Sequence, residues 1–560
     1  SLKMQLSKAQ EDNWEVAKRP EELRAQEQLI KSEKQELEKK LQELQRMPKE
    51  SGNENANQKD QKNQKNVAPS FDSLSNDQKQ SKNNPPISSS VQRSPSVTPD
   101  LKPDGRREDV KAALKFAWDS YVTYAWGLDD LKPLSRNGRK WFNLGATIVD
   151  SIDTLFIMGL EKEYQKARDW IEHELDYDKA SRESTFEITI RNLGGLLSIY
   201  ELTKDKMFLD RAEELGHRLL KAFNSPTGFP DSRVDLKSEP QIIDESEEHF
   251  ILSEIASLQL EFLYLAYHTK NSTFAEKPMA VFKTLRDMKP KDGLYHVFFD
   301  LETGRFEYKE GSHITIGALA DSFYEYELKL WLLTNKQYDG YRSMYEESSN
   351  GAINNLVRST NAGHLFIEDL KNGNSRNRME HLSCFSGGMF GLGSQEGAVS
   401  NPGKQMEVGA GLTKTCFNSY KATKTGLGPE VFSFNKNGDI ISSSPNYYIL
   451  RPETVESLFV MWRLTHDQKY RDWGWQIFQA IEKHCKTSGG YSGISNVGEV
   501  PVHHDNLQHS FFLAETLKYL YLLFSPDDLL PLSDFVFNTE AHPLGIIRET
   551  SDSMPRDLHQ

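Results

Sequence analysis

The sequence predicts an all-α protein whose helices form an α/α toroid. Apolar residues recur at spacings of three and four along most of the chain after Arg106, as in Val110, Ala113 and Leu114. About fourteen such segments follow one another across short loops, and strand signals are sparse. Less polar segments alternate with more charged ones, as expected when an outer ring of helices surrounds an inner ring. Helix number alone does not exclude an α-solenoid, which is the alternative architecture.

The positions of the elements follow from the same periodicity. After a first helix near residues 110–121, helices are expected near residues 147–159, 162–174, 186–203, 207–223, 248–269, 274–289, 312–334, 338–358, 380–391, 404–423, 453–465, 469–484 and 507–524. Residues 293–299 are a candidate strand, and Asn437, Gly438 and Asp439 are typical of a hairpin turn. Residues 535–540 are expected to form a terminal strand, which a closed ring could use as a plug.

The N-terminal part of the chain differs from the rest. Leu23, Ile30, Leu37 and Leu44 recur every seven residues among Glu, Lys and Gln, which predicts a coiled coil or solvated stem helix over residues 1–49. Residues 50–105 are rich in Asn, Gln, Lys, Ser and Pro and have almost no aromatic residues, so we expect a disordered linker there. The helical domain then covers residues 106–545, and residues 546–560 are a C-terminal tail.

Charge and hydropathy exclude some partners. The 560 residues carry a formal net charge of −14, and no basic stripe is present, so nucleic acid is not expected as a partner. The apolar run at residues 519–524 is too short to span a membrane. The chain opens on Ser1-Leu2-Lys3 without a signal peptide, so we expect membrane attachment only through an N-terminal anchor absent from this chain.

Residues 450–459 contain an acidic motif at a predicted helix start. Pro452 suits the first position of a helix, which places Glu453 and Glu456 in or beside its first turn. The helix dipole, the unpaired amides and the neighbouring Arg451 all favour ionised carboxylates there. Such a carboxylate suits a general base or an acceptor for sugar hydroxyls. Acids also favour helix N-termini for stability alone, which is the simpler interpretation of this motif by itself.

Similar acids recur on other apolar helical segments. Glu187 and Arg191 lie four residues apart on one helix face, which is a common stabilising pair. The apolar neighbours of Glu187 predict that it is partly buried, the environment that an acid catalyst requires. Glu254, Asp321 and Glu515 also lie among small or apolar residues. Each acid alone is more simply a structural charge, but together they predict a carboxylate-lined pocket.

A carboxylate-lined pocket with aromatic residues fits carbohydrate chemistry, in which two carboxyls act on a glycosidic bond. The sequence has no glycine-rich phosphate loop of standard form, no nucleophile elbow and no Cys-x-x-Cys motif. A hard divalent ion such as calcium is compatible with the pocket, because carboxylates, a threonine, water and sugar hydroxyls supply oxygen ligands.

These segments resemble the class I α-mannosidases, the α1,2-mannosidases of glycoside hydrolase family 47. The resemblance runs from about Arg106 to Pro543 and is carried by motifs at residues 186–195, 253–262, 320–326, 380–384, 450–457, 511–515 and 537–543. It implies an (α/α)7 barrel closed by a C-terminal β-hairpin that reaches into the barrel core. Residues 106–545 are then the catalytic domain.

The resemblance implies a role for individual residues. It makes Glu187 the general acid, Glu453 the base that activates water, and Asp321 a third carboxylate that acts as acid or stabiliser. Thr539 matches the residue that holds Ca²⁺ through its hydroxyl and carbonyl. The positions matching the sugar site or the outer calcium shell are Arg191, Glu254, His381, Arg451, Phe511, Glu515 and Glu540.

The resemblance also implies mechanism and setting. Water attacks with inversion, which places base and acid roughly 6.5 to 9.5 Å apart. Cys384 and Cys416 match a family disulfide and imply an oxidising lumen, whereas Cys485 has no assigned partner. Members of the family in the endoplasmic reticulum, which remove a single mannose, carry Arg where Leu319 stands, so branch choice should be relaxed here. With the stem and linker, this predicts a type II membrane protein of the Golgi lumen that trims Man9 or Man8 N-glycans to Man5.

Two other functions are alternatives at this point. A quality-control protein that binds mannose-rich glycans with little hydrolysis would resemble the degradation-enhancing branch of the family, which should lack the Cys384 and Cys416 pair. A coiled-coil Golgi scaffold would explain the stem but would leave the acidic motifs without a purpose.

Overall fold

The computed structural model describes residues 105–180, 182–237, 249–308 and 311–549. The predicted stem, almost all of the predicted linker and most of the predicted C-terminal tail lie outside these ranges. Helices dominate the described residues. They are α1 Gly105–Tyr124, α2 Ala146–Ile157, α3 Glu161–His173, α4 Thr185–Ile188, α5 Gly194–Thr203, α6 Lys206–Leu219, α7 Leu252–Ala256, α8 Gln259–Thr269, α9 Thr273–Met288, α10 Asp321–Leu333, α11 Asp339–Asn355, α12 Ser386–Gln395, α13 Pro402–Lys421, α14 Glu453–Thr465, α15 Lys469–His484 and α16 Leu517–Leu523.

The longer helices pack in pairs. The pairs are α2 with α3, α5 with α6, α8 with α9, α10 with α11, α12 with α13, α14 with α15, and α16 with α1. The first members of these pairs, which we call the inner helices, also pack in succession from α2 through α5, α8, α10, α12 and α14 to α16. The π-helical turn Phe512–Thr516, which precedes α16, packs against α2. The last inner segment therefore contacts the first.

Burial differs between the inner helices and the second members of the pairs, which we call the outer helices. In α10, every residue after Asp321 is buried, whereas α6 buries only the apolar face of an otherwise charged helix. This difference confirms the predicted alternation of less polar and more charged helices. Apolar surface removed from water supplies the main favourable free energy for such packing, at about 25 cal/mol per Å².

Local sequence explains several helix starts. α14 begins at Glu453 directly after Pro452, and both acids of its first turn stand where the sequence predicts them. α13 begins at Pro402, and the Asn401 side chain accepts a hydrogen bond from the Lys404 amide. The starts of α14 and α15 match the predicted positions because these signals are local.

Three predicted helices start later in the structure, and two are interrupted. The α-helix predicted at 380–391 begins only at Ser386, because Arg378–Glu380 pairs as a strand and Leu382–Phe385 forms a 3₁₀ turn. The helix predicted at 312–334 begins only at Asp321, because the preceding amides bind side chains: Gly317 donates to Thr315, and Ala318 to Glu380. The helix predicted at 507–524 begins near Ser510. The helix predicted at 186–203 contains the π-helical turn Thr189–Leu193.

The helix predicted at 248–269 breaks between α7 and α8. At this break, the Gln259 side chain accepts from the Leu258 amide and donates to the Ile255 carbonyl, so it replaces backbone partners. These departures from the predicted helices matter for the site because four of the five lie beside predicted site residues.

Strands are short and all their pairings are antiparallel. They are β1 Asp130–Lys132, β2 Asn137–Arg139, β3 Arg182–Ser184, β4 Arg233–Asp235, β5 Phe250–Ile251, β6 Phe298–Phe299, β7 His313–Ile314, β8 Val357–Ser359, β9 Leu365–Ile367, β10 Leu370–Lys371, β11 Asn374–Ser375, β12 Arg378–Glu380, β13 Val431–Phe434, β14 Ile440–Ser443, β15 Lys486–Thr487, β16 Gly490–Tyr491, β17 Phe535–Phe537 and β18 Pro543–Gly545. They form sheets of two or three strands. Of the candidate strand at 293–299, only β6 forms.

Two predicted strand features are confirmed. The predicted turn at Asn437-Gly438-Asp439 joins β13 to β14, and Gly438 has φ of +88°, which glycine adopts without strain. The predicted terminal strand is β17, which pairs with β18 in the register Phe537 to Pro543. β17 packs against α10 and β18 against α5, so this hairpin lies between inner helices. Among the helices that the structure describes, none combines the length and apolar character needed to cross a membrane.

Candidate active site

The turn between β17 and β18 carries residues 538–542 to the inner helices. Asn538 donates to the Ile190 carbonyl at 2.9 Å, and Glu540 forms an ion pair with Arg191. The amide of Thr539 lies 3.5 Å from the hydroxyl of Tyr326, which belongs to α10. The hairpin thus brings the two predicted residues near the end of the chain against helices that carry other predicted residues.

Arg191 is the cation that gathers carboxylates on this side of the site. Its Nε lies 2.9 Å from Oε2 of Glu187, and its Nη1 lies 3.4 Å from Oδ2 of Asp150 and pairs with Glu540. Burial lowers the pKa of Arg191, but these carboxylates raise it far more, so the guanidinium stays charged. The planar guanidinium suits binding to several carboxylates at once, because it presents five donors in a fixed geometry.

Glu187 begins the segment that holds Arg191. The Ser184 hydroxyl caps this segment by accepting from the Glu187 amide, and the Glu187 side chain is 21% exposed. The prediction of partial burial is therefore confirmed. The π-helical turn that follows shifts the helix register at Arg191, and such turns occur frequently at functional sites.

Glu453 lies at the start of α14 between two positively polarised partners. Its Oε2 is 2.7 Å from Nδ1 of His381, and its Oε1 is 3.6 Å from Nη1 of Arg451. Burial alone would raise the pKa of Glu453, but the His381 hydrogen bond and the Arg451 charge outweigh it and hold this pKa below its usual value. Glu453 is thus an ionised carboxylate at neutral pH.

The partners of Glu453 are themselves held in place. Arg451 makes a bidentate pair with Glu430, with both nitrogen–oxygen distances at 2.6 Å. The other ring nitrogen of His381, Nε2, lies 2.6 Å from the hydroxyl of Tyr420. These buried contacts fix the orientation of the groups that bind Glu453.

Asp321, the first residue of α10, has the opposite electrostatic character. Burial, together with the negative charges of Glu325, Glu453 and Glu380, raises its pKa to about 7, although a hydrogen bond from the Ser322 amide opposes the shift. A carboxyl group with this pKa is partly protonated near neutral pH. It can therefore hold a proton close to a carboxylate that does not.

Further carboxyls crowd the same region. Burial and the charges of Glu540 and Glu453 raise the pKa of Glu515 well above its usual value, although Arg191 opposes this. Burial likewise raises the pKa of Glu540, and burial with the charge of Glu325 raises that of Glu456 to about 8. These mutual effects show that acids from α14, the Phe512–Thr516 turn and the hairpin lie close together. The prediction of an ionised carboxylate at the start of α14 is therefore wrong for Glu456, because burial outweighs the helix dipole there.

Two further predicted residues lie in adjoining segments. Glu254 is buried on α7, and the amide of the preceding Ser253 donates to the carbonyl of Leu319 at 3.0 Å. Leu319 has φ of +76°, which is rare for a branched apolar residue and indicates a constrained loop. An apolar side chain at this position adds no charge to the site.

The predicted disulfide is present. Cys384 and Cys416 are bonded, with 5.9 Å between their Cα atoms, and Cys485 is free and buried. The bond joins the turn Leu382–Phe385 to α13, which carries Tyr420. It therefore connects the segment next to His381 to the helix that holds the hydrogen-bond partner of His381.

A buried charge cluster that was not predicted lies behind Arg191. His542 lies 2.8 Å from Asp153 and 3.2 Å from Asp150, and Lys518 lies 2.8 Å from Asp153. All four side chains are fully buried. Two acids within the apolar segment of α2 were the available signal, whereas their partners come from distant parts of the chain.

Two aromatic rings flank the guanidinium of Arg191. The ring centroid of Phe511 lies 5.8 Å from its central carbon, and that of Trp141 lies 5.9 Å away. Phe511 was predicted, whereas Trp141 was not. The Asp129 carboxylate fixes the Trp141 segment by accepting from the amides of Trp141 and Phe142 at 2.7 and 2.9 Å.

The donor set around Thr539 fits a hard cation only in part. In the described ranges, no group of three or more His, Cys, Asp or Glu side chains has an arrangement that could hold a metal. Thr539 offers a hydroxyl and a carbonyl oxygen, and neither accepts a hydrogen bond from another described residue. Nearby carboxyls provide an excess of negative charge. These residues fit an oxygen-ligated ion whose remaining ligands come from water or substrate.

The inner helices that carry these residues pack against the β17–β18 hairpin, and the site holds an ionised carboxylate, Glu453, near a carboxyl group, Asp321, whose pKa is raised to about 7. A pair of acids in different protonation states is what glycoside hydrolases use. The model of glycosyl hydrolase family 47 matches residues 113–546, and the chain belongs to this family.

Relatives of known activity agree with this assignment. Mannosyl-oligosaccharide alpha-1,2-mannosidase IA of Drosophila melanogaster is 45% identical over 459 residues, which cover 80% of this chain and 68% of that protein. Mannosyl-oligosaccharide 1,2-alpha-mannosidase IB of Mus musculus is 43% identical, over 81% of this chain and 72% of its own length. The solved structure of alpha-1,2-mannosidase from Trichoderma reesei matches with a TM-score of 0.74 and 29% identity, over 80% of this chain and all of that one.

Proposed function

We propose that the protein is an inverting exo-α1,2-mannosidase that trims Man9 and Man8 N-glycans to Man5, a mannosyl-oligosaccharide 1,2-α-mannosidase of the IA type. Family membership and the activities named for its relatives support the reaction. The observation that carries the mechanism is the contrast between Glu453, whose pKa is lowered, and Asp321, whose pKa is raised to about 7. Glycoside hydrolysis requires one carboxylate and one carboxylic acid at the same bond.

Glu453 is the proposed base. His381 and Arg451 keep it ionised and oriented, so it can accept a proton from the water that attacks the anomeric carbon. Attack from the face opposite the leaving sugar gives inversion. His381 itself is held by Tyr420, which limits its motion during the reaction.

Two carboxyls compete for the role of proton donor. The resemblance implies Glu187, which Arg191 positions at 2.9 Å. The pKa of about 7 favours Asp321, because this group retains a proton at neutral pH. Mannosyl fluoride distinguishes them, since fluoride departs with little help from an acid. We expect the donor's amide variant, Glu187→Gln or Asp321→Asn, to recover much more activity on the fluoride than on the glycan.

The proposed fold of the catalytic domain is a closed (α/α)7 barrel with the C-terminal hairpin in its core. The contact of the Phe512–Thr516 turn with α2 and the packing of β17 and β18 against inner helices support this arrangement. An open solenoid would not bring the last inner segment against the first. In the closed barrel, acids from distant helices face one central site.

We also propose that Thr539 binds Ca²⁺ through its hydroxyl and carbonyl, with Glu515 and Glu540 in the surrounding shell. When bound, the ion would supply positive charge and hold two adjacent sugar hydroxyls. Burial, together with neighbouring carboxyls, raises the pKa values of Glu515 and Glu540, although Arg191 opposes this. A cation bound beside them would offset the negative charge that these buried acids carry when ionised.

High-mannose N-glycans on glycoproteins are the proposed partners. Arg191, Glu254, Arg451 and Phe511 would shape the sugar site, and the apolar Leu319 would leave branch choice relaxed. We place the protein in the Golgi lumen as a type II membrane protein, attached through an N-terminal anchor outside this chain. The Cys384–Cys416 disulfide supports a lumenal setting, because such bonds persist in oxidising compartments.

Glycan digestion tests the proposal. The protein is incubated with Man9 glycan in calcium and in EDTA, and products are followed by chromatography and by the anomeric signals of released mannose. We expect Man5, release of the β-anomer first, and loss of activity in EDTA. The Glu453→Gln variant controls for contaminating mannosidase. Binding of Man9 without release in calcium would instead support the quality-control alternative.

A further inference from the structure

The turn that carries Thr539 and Glu540 is shaped by one side chain. The Asn538 carboxamide oxygen accepts from the amide of Glu540 at 2.9 Å and from the amide of His542 at 2.8 Å. Ala541 within the turn has φ of +61°, a conformation that non-glycine residues rarely adopt. The backbone path around Thr539 therefore depends on Asn538.

Asn538 is held in turn by a buried glutamate that the proposed mechanism does not use. Oε1 of Glu261, on α8, accepts from the Asn538 carboxamide at 2.7 Å and from the Tyr326 hydroxyl at 2.7 Å. That hydroxyl is also the group that faces the Thr539 amide. Through this single oxygen, Glu261 on α8 thus binds both Tyr326 on α10 and Asn538 at the start of the Thr539 segment.

This arrangement is costly for folding. Glu261 is fully buried, and its Oε2 has no hydrogen-bond partner among the described residues. A buried carboxyl with an unsatisfied oxygen destabilises the folded state, and an apolar side chain of similar size often serves stability better. The hydrogen bonds that Oε1 accepts from Asn538 and Tyr326 offset part of this cost.

We propose that Glu261 is a positioning residue for the ion site: it fixes the Asn538 turn so that the hydroxyl and carbonyl of Thr539 point to a common ligand. Glu261 touches neither sugar nor ion in this role. Loss of a group that orients a metal ligand typically weakens metal affinity roughly 10- to 100-fold. The inference rests on the proposed calcium site and deepens it.

Calcium titration by calorimetry, on the full chain freed of metal with chelator, tests the proposal. Glu261→Leu should weaken Ca²⁺ binding roughly 10- to 100-fold, the range typical for loss of an orienting partner. Glu261→Gln keeps the acceptor oxygen and should bind within about threefold of the unaltered protein, because both hydrogen bonds are retained.

Glu327 offers a matched control. It is also a fully buried glutamate with one unpartnered oxygen among the described residues, but its partner is Ser348 of the outer helix α11. Glu327→Leu should leave the Ca²⁺ dissociation constant unchanged even where it changes the melting temperature. A general loosening of the fold would instead weaken binding in both leucine variants, and that result would overturn the inference.

A second variant covers the case in which Glu261→Leu does not fold. Tyr326→Phe removes only the hydroxyl between Glu261 and Thr539, and we expect roughly three- to tenfold weaker binding from the lost hydrogen bonds. If Glu261→Leu folds and its Ca²⁺ affinity is unchanged, the positioning role is refuted but the calcium site is not. If only Tyr326→Phe folds, an unchanged Ca²⁺ affinity of that variant has the same meaning. An unaltered protein that binds no Ca²⁺ would refute the calcium site itself, and this inference with it.

Discussion

Removal of the Cys384–Cys416 disulfide should destabilise the protein strongly. The two cysteines are 32 residues apart in sequence. The chain-entropy relation for a loop of this length gives about 12 cal/mol/K, which is about 4 kcal/mol near room temperature. We predict that the double variant Cys384→Ala and Cys416→Ala is less stable by about 3–4 kcal/mol, because its unfolded chain regains this freedom.

Guanidinium unfolding, followed by circular dichroism, measures the effect through the transition midpoint. Cys485→Ala is the matched control, since Cys485 is buried and unpaired and its loss opens no loop. This control should cost only about 1–2 kcal/mol, from the lost packing of one sulfur. Reductant added during unfolding should lower the midpoint of the unaltered protein and leave that of the double variant in place.

Two results would refute this reasoning. A double variant no less stable than Cys485→Ala would show that the crosslink does not constrain the unfolded chain as the relation requires. An equal effect of reductant on the unaltered protein and on the double variant would show that the midpoint reports something other than this bond. The disulfide also joins the segments of His381 and Tyr420, so glycan hydrolysis should decline in the double variant.

The remaining predictions concern the site. Glu453→Gln should lower kcat by roughly 10²- to 10⁴-fold while circular dichroism stays unchanged, because a base is lost with little volume; near-normal turnover would reassign the base. If Asp321 is the donor, kcat/KM should fall about tenfold per pH unit above about pH 7, because the required proton is lost as pH rises through that pKa, whereas a profile flat to about pH 9 would exclude it. Gly194→Ala places a Cβ 2.6 Å from Nδ2 of Asn538 and should cost about 1–3 kcal/mol in thermal unfolding. Gly403→Ala, whose Cβ meets nothing within 4 Å, is its clash-free control and should melt at or slightly above the temperature of the unaltered protein, because alanine favours a helix more than glycine does. Equal melting temperatures of the two variants would contradict the clash.

Helix positions were predictable where local signals dominate. α14 and α15 lie at the predicted residues because Pro452, first-turn acids and periodicity all act within a few residues of one another. The helix expected at 312–334 starts at Asp321 instead, because Glu380 takes the Ala318 amide from a distant segment. Sequence periodicity contains no information about such a partner.

The site was predictable in its residue types more than in its electrostatics. Acids on apolar segments indicated a carboxylate-lined pocket. In the structure, several of these acids lie close enough to raise one another's pKa. The lowered pKa of Glu453 depends on His381, which lies 72 residues before it. The raised pKa of Asp321 depends on burial and on the charges of Glu325, Glu453 and Glu380. The Asp153–His542 and Glu261–Asn538 contacts were missed for the same reason, since each joins residues that are far apart in sequence.

The sequence by itself determined the helical class, the order of the helices and the family, because periodicity, helix-start residues and long motifs are local and survive without coordinates. Helix-start signals also predicted the ionised state of Glu453, whereas only the tertiary structure decided that Asp321 and Glu456 have raised pKa values. Burial and neighbouring charge set each pKa, and both depend on helices and a hairpin that meet only in the folded chain. The chemistry of this protein is therefore encoded in its residue types but assigned to individual residues by packing.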